Sequence, residues 1–418
     1  MFPLPRRLAA IVLAVLIPLA GSSPAAASSF AWTASWTASP QRPSASFAPN
    51  WSEQGFANQT IRQVVRAGAG GELTRVRLSN AYGSTPLKVA GATVARTASG
   101  AAIRRESLRH LTAKGARAFT IAPGRELATD AVPLRLAALE SVTVTLYLMA
   151  TTGPATFHAQ ALATSYRAAG DHRSDAGATA FTQTSQSWYY LSGVDVAGGP
   201  SRRDGVVAFG DSITDGAGSS ADANNRYPDQ LAERLAAAGR PRAVLNQGIA
   251  GNRMTVDSAW FGDKAVDRFR RDVLGQPNVG TVIIQLGIND IGISEVAAAP
   301  PFPILAPYPD VSAEQVVAGH RELIRAARAK GLRVIGATLT PIKGSAYHTG
   351  RSEAKRDAIN AWIRTSGAYD AVVDLDRALA SPDDPDRLAP AYDSGDHLHP
   401  SDAGYQAMAA AVDLADLR

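Results

Sequence analysis

Val206-Val207-Ala208-Phe209-Gly210-Asp211-Ser212-Ile213-Thr214 runs four apolar residues into a Gly-Asp-Ser turn, and the polar, glycine-bearing segment Asp215-Gly216-Ala217-Gly218 follows. A short apolar run bounded by turn residues has the pattern of a buried strand. A serine at the carboxyl end of such a strand stands where open α/β sheets bind their ligands. The same pattern also fits an ordinary strand-to-helix loop, so the reading depends on what lies downstream.

Downstream, strands alternate with helical patterns. After Val206–Phe209 the pattern predicts a helix over Tyr227–Ala238, with Leu231 and Leu235 spaced by four and Gly239 closing it. Strands are predicted at Ala243–Leu245, Thr281–Leu286, Val334–Leu339 and Ala371–Leu375. Helices are predicted at Trp260–Leu274, Val311–Lys330, Arg351–Arg364 and Asp402–Leu414. Thr281–Leu286 is nearly all apolar, as a strand covered on both faces must be. Five such strand–helix units predict a parallel sheet between helical layers over residues 204–418.

Upstream, residues 28–203 have period two. Val142, Val144, Leu146 and Leu148 alternate with Thr143, Thr145 and Tyr147; Val76 and Leu78 alternate with Arg75 and Arg77; Leu134 and Leu136 flank Arg135. This alternation places apolar side chains on one strand face. Turn residues recur between the runs, so an all-β sandwich, jelly-roll-like, is expected. His110, His158 and His172 are isolated in sequence and carry no constellation. Trp51, Trp188, Tyr189 and Tyr190 could stack on sugar rings or pack in a core. Ala197-Gly198-Gly199-Pro200-Ser201 punctuates the end of the pattern, which places the boundary there.

Residues 1–27 have the composition of an export signal: basic Arg6-Arg7, an apolar stretch from Leu8 to Ala20, and small residues Ala25-Ala26-Ala27. Thirteen helical residues rise about 20 Å, short of the roughly 30 Å hydrocarbon core. The expectation is a secreted protein, extracellular or periplasmic, without stable membrane insertion. The formal net charge of +5 comes from scattered basic residues, so no nucleic-acid partner is expected. The chain has no cysteine, which excludes disulfides, thiolate catalysis and Cys-ligated zinc.

A parallel sheet opens the carboxyl ends of all its strands on one edge. Ser212 follows the first strand, Gly248 the second, Asn289 the third, and Asp396 and His399 the fifth. A serine hydroxyl is a poor nucleophile until a base takes its proton. His399 is the candidate base, with Asp396 holding the ring tautomer and stabilising the imidazolium. The backbone N–H groups of Ser212 and Gly248 and the Asn289 amide are candidate donors to an oxyanion. Asp211 and Asp290 are read as braces for their loops, and His320 and His348 as without a role in the chemistry.

Gly210-Asp211-Ser212-Ile213, Gly248, Gly287-Ile288-Asn289-Asp290 and Asp396-His397-Leu398-His399 resemble, in order and spacing, the four blocks of the SGNH (GDSL) hydrolase family. The resemblance implies a flavodoxin-like three-layer α/β/α domain, ester hydrolysis through an acyl-enzyme and no cofactor. It implies Ser212 as nucleophile, Asp396 and His399 as the rest of the triad, and Ser212, Gly248 and Asn289 as the oxyanion hole. The first part, with Arg77-Leu78-Ser79-Asn80-Ala81-Tyr82-Gly83 and Thr129-Asp130-Ala131-Val132, looks like the N-terminal β-domain of exported SGNH esterases similar to those of xylan degradation. The Gly-x-Ser-x-Gly elbow of α/β-hydrolases is absent.

His397 competes with His399, but the His399-Pro400 pair before a helix matches the fourth block. Asp396, His397 and His399 have no further clustered ligand, so no metal is expected. The Pro-rich segment 299–309 is either a wall of the substrate pocket or a surface connector. The leading expectation is a secreted serine hydrolase of short acyl esters, small-molecule or polysaccharide, among them acetyl groups on plant polysaccharide. The alternatives are a lipase or arylesterase and a non-catalytic carbohydrate-binding protein.

Overall fold

The computed structural model describes residues 1–3, 31–199, 203–296 and 305–417. The expected export signal and the first half of the Pro-rich segment lie outside the described residues. Five parallel strands, Gly205–Gly210, Val244–Gly248, Val279–Gln285, Arg333–Ala337 and Ala371–Val373, are ordered second-first-third-fourth-fifth. This is the strand order of doubly wound folds whose ligands bind where the order reverses. Ser212 begins the single-turn helix α1, Ser212–Asp215, directly after the central first strand.

Each helix has a local cause. Tyr227–Ala237 (α2) carries Pro228 in its first turn and buries Leu231 and Leu235. The expected helix over 260–274 is shorter: Gly262 adopts φ +77°, a left-handed conformation no helix interior accepts, and regular helix starts at Ala265 (α3, Ala265–Phe269). Ile288–Val296 (α4) follows the third strand and carries Asn289 in its first turn. The helix Ala313–Ala329 (α5) opens with a capping box in which Ser312 and Gln315 satisfy each other's backbone N–H. Gly350–Thr365 (α6) opens the same way at Thr349 and Ser352. The fifth strand ends two residues early because Asp374 caps the helix Leu375–Leu379 (α7). Asp402–Ala411 (α8) is capped by Ser401.

Residues 31–197 form antiparallel sheets. Thr33–Thr37, Leu191–Ala197, Leu73–Ser79 and Glu126–Ala128 make one. The other is built around Gln59–Arg66, Ser141–Leu148 and Gly91–Ser99. Leu134 and Leu136 contribute no regular strand; Val132 and Leu136 make only isolated bridges. Thr143 and Thr145 are buried although they alternate with the apolar face. Arg62 explains this: its guanidinium is buried over that second face, donating to Thr145 and to the carbonyls of Ala101 and Asp175 and lying 4.1 Å from the Phe181 ring. Trp51, Trp188, Tyr189 and Tyr190 are all buried, which settles them as packing residues.

Two hydrophobic cores result, one among residues 36–196 and one spanning Val206–Leu417 with Ala34. The seam between them is polar. Gln247 donates to Thr37 Oγ1 (2.8 Å) and accepts from Ser39 Oγ. Arg268, on α3, is fully buried beside Asp272 at 3.1 Å. It donates to the carbonyls of Gly210 (2.7 Å) and Gln247 (2.9 Å), to Asn252 Oδ1 (2.9 Å) and to Ser39 Oγ (3.2 Å).

Removing one partner of a buried, hydrogen-bonded ion pair costs about 3–5 kcal/mol, because the other charge is left without compensation. Arg268→Ala should therefore lower unfolding free energy by about that amount in urea titration. A loss below about 1 kcal/mol, the range of an exposed pair, would contradict this account.

Candidate active site

The hydroxyl of Ser212 lies 2.9 Å from His399 Nε2, and His399 Nδ1 lies 2.6 Å from Asp396 Oδ2. Asp396 accepts only, so Nδ1 carries the hydrogen and the Nε2 lone pair faces the serine O–H. Asp396 Oδ1 also accepts the backbone N–H groups of Leu398 (3.0 Å) and His399 (2.8 Å). Burial pushes the Asp396 carboxyl up, but the hydrogen bond and charge of His399 and these two N–H groups outweigh it and hold it well below the ordinary carboxylate range. His397 turns away, pairing with Asp393 (2.5 Å) in a left-handed backbone conformation, φ +63°.

Around Ser212 the donors differ from the expectation at one position. Gly248 is the last residue of the second strand, and its N–H is taken by Asn246 Oδ1 at 2.9 Å. It is a glycine for packing: a Cβ there would lie 2.2 Å from Asp215 N. Gly248 is therefore withdrawn as an oxyanion donor. Three residues on, Gly251 adopts φ +75°, is partly exposed, and has no acceptor for its N–H among the described residues. A Cβ on Gly251 would lie 2.5 Å from the Phe261 ring. The sequence reading named Gly248 alone; Gly251 lies beyond the strand end, in the loop that follows.

The loop carrying Gly251 is held on every side. Asp290 accepts from Met254 N (2.7 Å) and from Thr255 N and Oγ1 (3.0 and 2.8 Å). Asn252 donates to the carbonyls of Phe261 and Asp263 and accepts from Arg268. Asp215 Oδ2 accepts from Ala250 N at 3.0 Å. Pro307, in the described half of the Pro-rich segment, accepts from Arg253 at 2.6 Å.

Asn289 is oriented from both ends. Its Oδ1 accepts from the Tyr347 hydroxyl (2.9 Å), and its Nδ2 donates to Asn252 O (3.0 Å), which leaves the second amide hydrogen available. Burial, with the Asp211 charge, keeps the Tyr347 phenol above its ordinary range, so it stays a donor. Ser212 N–H, in the first turn of α1, also has no acceptor among the described residues.

Asp211 caps α1 through Ile213 N (3.1 Å), while its other oxygen, fully buried, has no partner among the described residues. His320, buried in α5, bonds Leu286 O and the Tyr369 hydroxyl, and burial lowers its pKa to about 4. It is a neutral core residue. No cluster of acidic or histidine side chains able to hold a metal occurs among the described residues.

Residues 208–407 match the GDSL-like lipase/acylhydrolase family. They are a GDSL-type acylhydrolase domain. Solved structures resemble this chain over about half its length. A GDSL-like lipase from Bacteroides thetaiotaomicron VPI-5482 is 20% identical over 51% of this chain and 88% of that one, with TM-score 0.35. The lipase/acylhydrolase from Enterococcus faecalis is 20% identical over 50% and 92%, TM-score 0.38. An acetyl xylan esterase is 20% identical over 50% and 96%, TM-score 0.37. No curated protein matches the chain. No helix among the described residues is long and apolar enough to cross a membrane.

Burial, opposed by the Ile213 N–H and the charge of His399, raises the Asp211 pKa to about 7. A carboxyl raised on folding gives up its proton earlier in the unfolded chain, so stability falls as pH rises from about 4 to 7, by on the order of 1.4 kcal/mol per pH unit. Asp211→Asn removes this titration and keeps the capping oxygen. Its stability relative to wild type should grow between pH 4.5 and 8 in urea titration; a difference constant with pH would refute the assignment.

Proposed function

We propose that this protein is an exported serine ester hydrolase that cleaves short acyl esters through an acyl-enzyme. The observation that carries the reading is the 2.9 Å approach of His399 Nε2 to the Ser212 hydroxyl, made by residues 187 positions apart.

In this reading Ser212 Oγ attacks the ester carbonyl carbon as His399 Nε2 takes its proton. Asp396, ionised because of the N–H groups around it, stabilises the imidazolium. The oxyanion receives hydrogen bonds from Ser212 N–H, Gly251 N–H and the Asn289 amide, donors fixed before the charge appears. The imidazolium then protonates the departing alkoxide, the C–O bond breaks, and Ser212 holds the acyl group. Water, deprotonated by His399, releases the acid and restores the hydroxyl.

Acetyl groups on plant polysaccharide are the proposed natural substrate class, supported by the likeness of the first part to the β-domains of exported esterases. The strand-rich part, a two-sheet sandwich in this reading, has no described groove assigned to a sugar. A non-catalytic carbohydrate binder is disfavoured because the whole triad stands in hydrogen-bonding geometry.

Ser212→Ala should reduce p-nitrophenyl acetate hydrolysis by about 10³-fold or more while leaving the fold intact. Equal turnover in variant and wild type would overturn the assignment. Because an imidazole must be neutral to take the proton, kcat/KM should fall as pH drops across the mildly acidic range. Asp396, held low, adds no second limb in that range. A rate flat from pH 5 to 8 would count against His399 as base.

A further inference from the structure

One titratable group with no part in the chemistry above is buried between the two cores. His158, from the strand-rich part, is 4% exposed, and its two ring nitrogens face different acceptors. Nδ1 lies 3.0 Å from the Ser39 carbonyl, and Nε2 lies 3.0 Å from Asp215 Oδ1. Trp188 stacks on the ring at 5.5 Å. A carbonyl only accepts, so Nδ1 carries a hydrogen. If the imidazole were neutral, its Nε2 lone pair would then point at a carboxylate oxygen. The 3.0 Å separation requires a second proton between Nε2 and Oδ1, as imidazolium with carboxylate or imidazole with carboxylic acid.

What that proton holds is close to the reacting atoms. Asp215 closes the helical turn that begins at Ser212, and its Oδ2 accepts from Ala250 N at 3.0 Å. Ala250 immediately precedes Gly251. Asn246 Nδ2 donates to the carbonyls of Thr214 and Asp215, fixing the same turn from the second strand. The chain of contacts therefore runs Ser39, His158, Asp215, Ala250, and ends at the loop bearing the donor.

We infer that His158 is a positioning residue for this acylhydrolase: one proton shared between its ring and the Asp215 carboxyl ties the strand-rich part to the Ala250–Gly251 backbone and sets the oxyanion donor. The inference rests on the reading of Ser212 and Gly251 given above. It assigns the strand-rich part a place in the catalytic geometry.

The surroundings set the direction of the pH dependence. Burial opposes a charged ring, but the charge and hydrogen bond of Asp215 and the carbonyl of Ser39 outweigh it and raise the His158 pKa above the ordinary imidazole value. Arg226, beside Asp229 on α2, acts in the opposite sense. Arg66 lines a small cavity together with His158 and Asp215 and pairs with Glu233. Tyr405, buried, is held protonated. A group raised on folding contributes stability that is complete below its unfolded pKa and lost as pH climbs through the folded one. The strut therefore fails on the alkaline side.

The test uses the full chain and p-nitrophenyl acetate, with kcat and KM measured from pH 6 to 10. His158→Phe keeps the ring and removes both donors. It should lower kcat at least about tenfold with KM little changed, since a donor misplaced by about 1 Å acts on the transition state. His158→Gln supplies an N–H toward Asp215 that does not titrate. It should restore most of the kcat lost in the Phe variant and remove the alkaline fall that wild type shows. Wild-type kcat in His158→Phe, or the same alkaline fall in His158→Gln and wild type, would overturn the proposal. A readout without variants guards against misfolding: amide exchange of the segment 246–255 in wild type, corrected for intrinsic rate, should rise on the alkaline side, and exchange flat to pH 10 would overturn it equally. Ser212→Ala separates the two readings: if it left hydrolysis intact, the catalytic assignment would fail while the exchange result stood.

Discussion

The Arg268 guanidinium is the constraint on which the site depends. It is buried under the end of the central strand, and its nitrogens hold the carbonyls that end the first and second strands, the Asn252 side chain and a serine of the strand-rich part. Those carbonyls lie at the ends of two neighbouring strands, where the chain leaves the sheet to form the turn at Ser212. Backbone acceptors at buried strand ends need partners. Here a single charged group supplies several, and Asp272 with the Phe209 ring at 4.1 Å compensates its charge. Burying an ion pair adds little to stability in itself. What it supplies is a fixed relation between the strand end bearing Ser212 and the loop bearing Gly251.

This relation explains why the donors can be rigid without being part of regular structure. The Gly251 loop has no ladder of its own, so each of its groups is tied individually: Ala250 to Asp215, Asn252 to Arg268 and two carbonyls, Met254 and Thr255 to Asp290. Asn289 and Tyr347 continue the same network from the third strand's side. An oxyanion hole contributes to rate only if its dipoles are in place before the charge forms. The polar seam between the two cores is thus where positional precision is maintained, and the apolar cores on either side keep water from it.

Much of this was legible in the sequence, for physical reasons that differ by feature. The first and third strands are short apolar runs bounded by turn residues and buried on both faces, so their pattern admits little else. Asp396 and His399 are three residues apart, so their pairing is local and a spacing argument reaches it. Ser212 and His399 meet only because strand order brings their segments to one edge. Gly248 lies past the apolar run Ala243–Leu245, which marks it as a loop residue; the strand runs three residues further and absorbs it. His158 looked isolated because its partner, Asp215, is 57 residues away across a seam that no periodicity marks. Arg268 was hidden in a helical stretch where an arginine ordinarily faces solvent.

Three carboxylates near Ser212 show how placement divides their work. Asp396 is half exposed and receives two backbone N–H groups as well as the imidazole, so it stays charged. Asp211, one residue before Ser212, is sealed in with a single N–H donor, and burial holds its proton to about pH 7. Were Asp396 neutral, nothing would stabilise the imidazolium once it formed. Asp215 completes the set: its two oxygens bond the His158 ring and the Ala250 N–H. Side chains of one chemical type are pushed toward opposite protonation states by burial on one side and N–H donors on the other, the separation that the proposed base and acid roles of one histidine require.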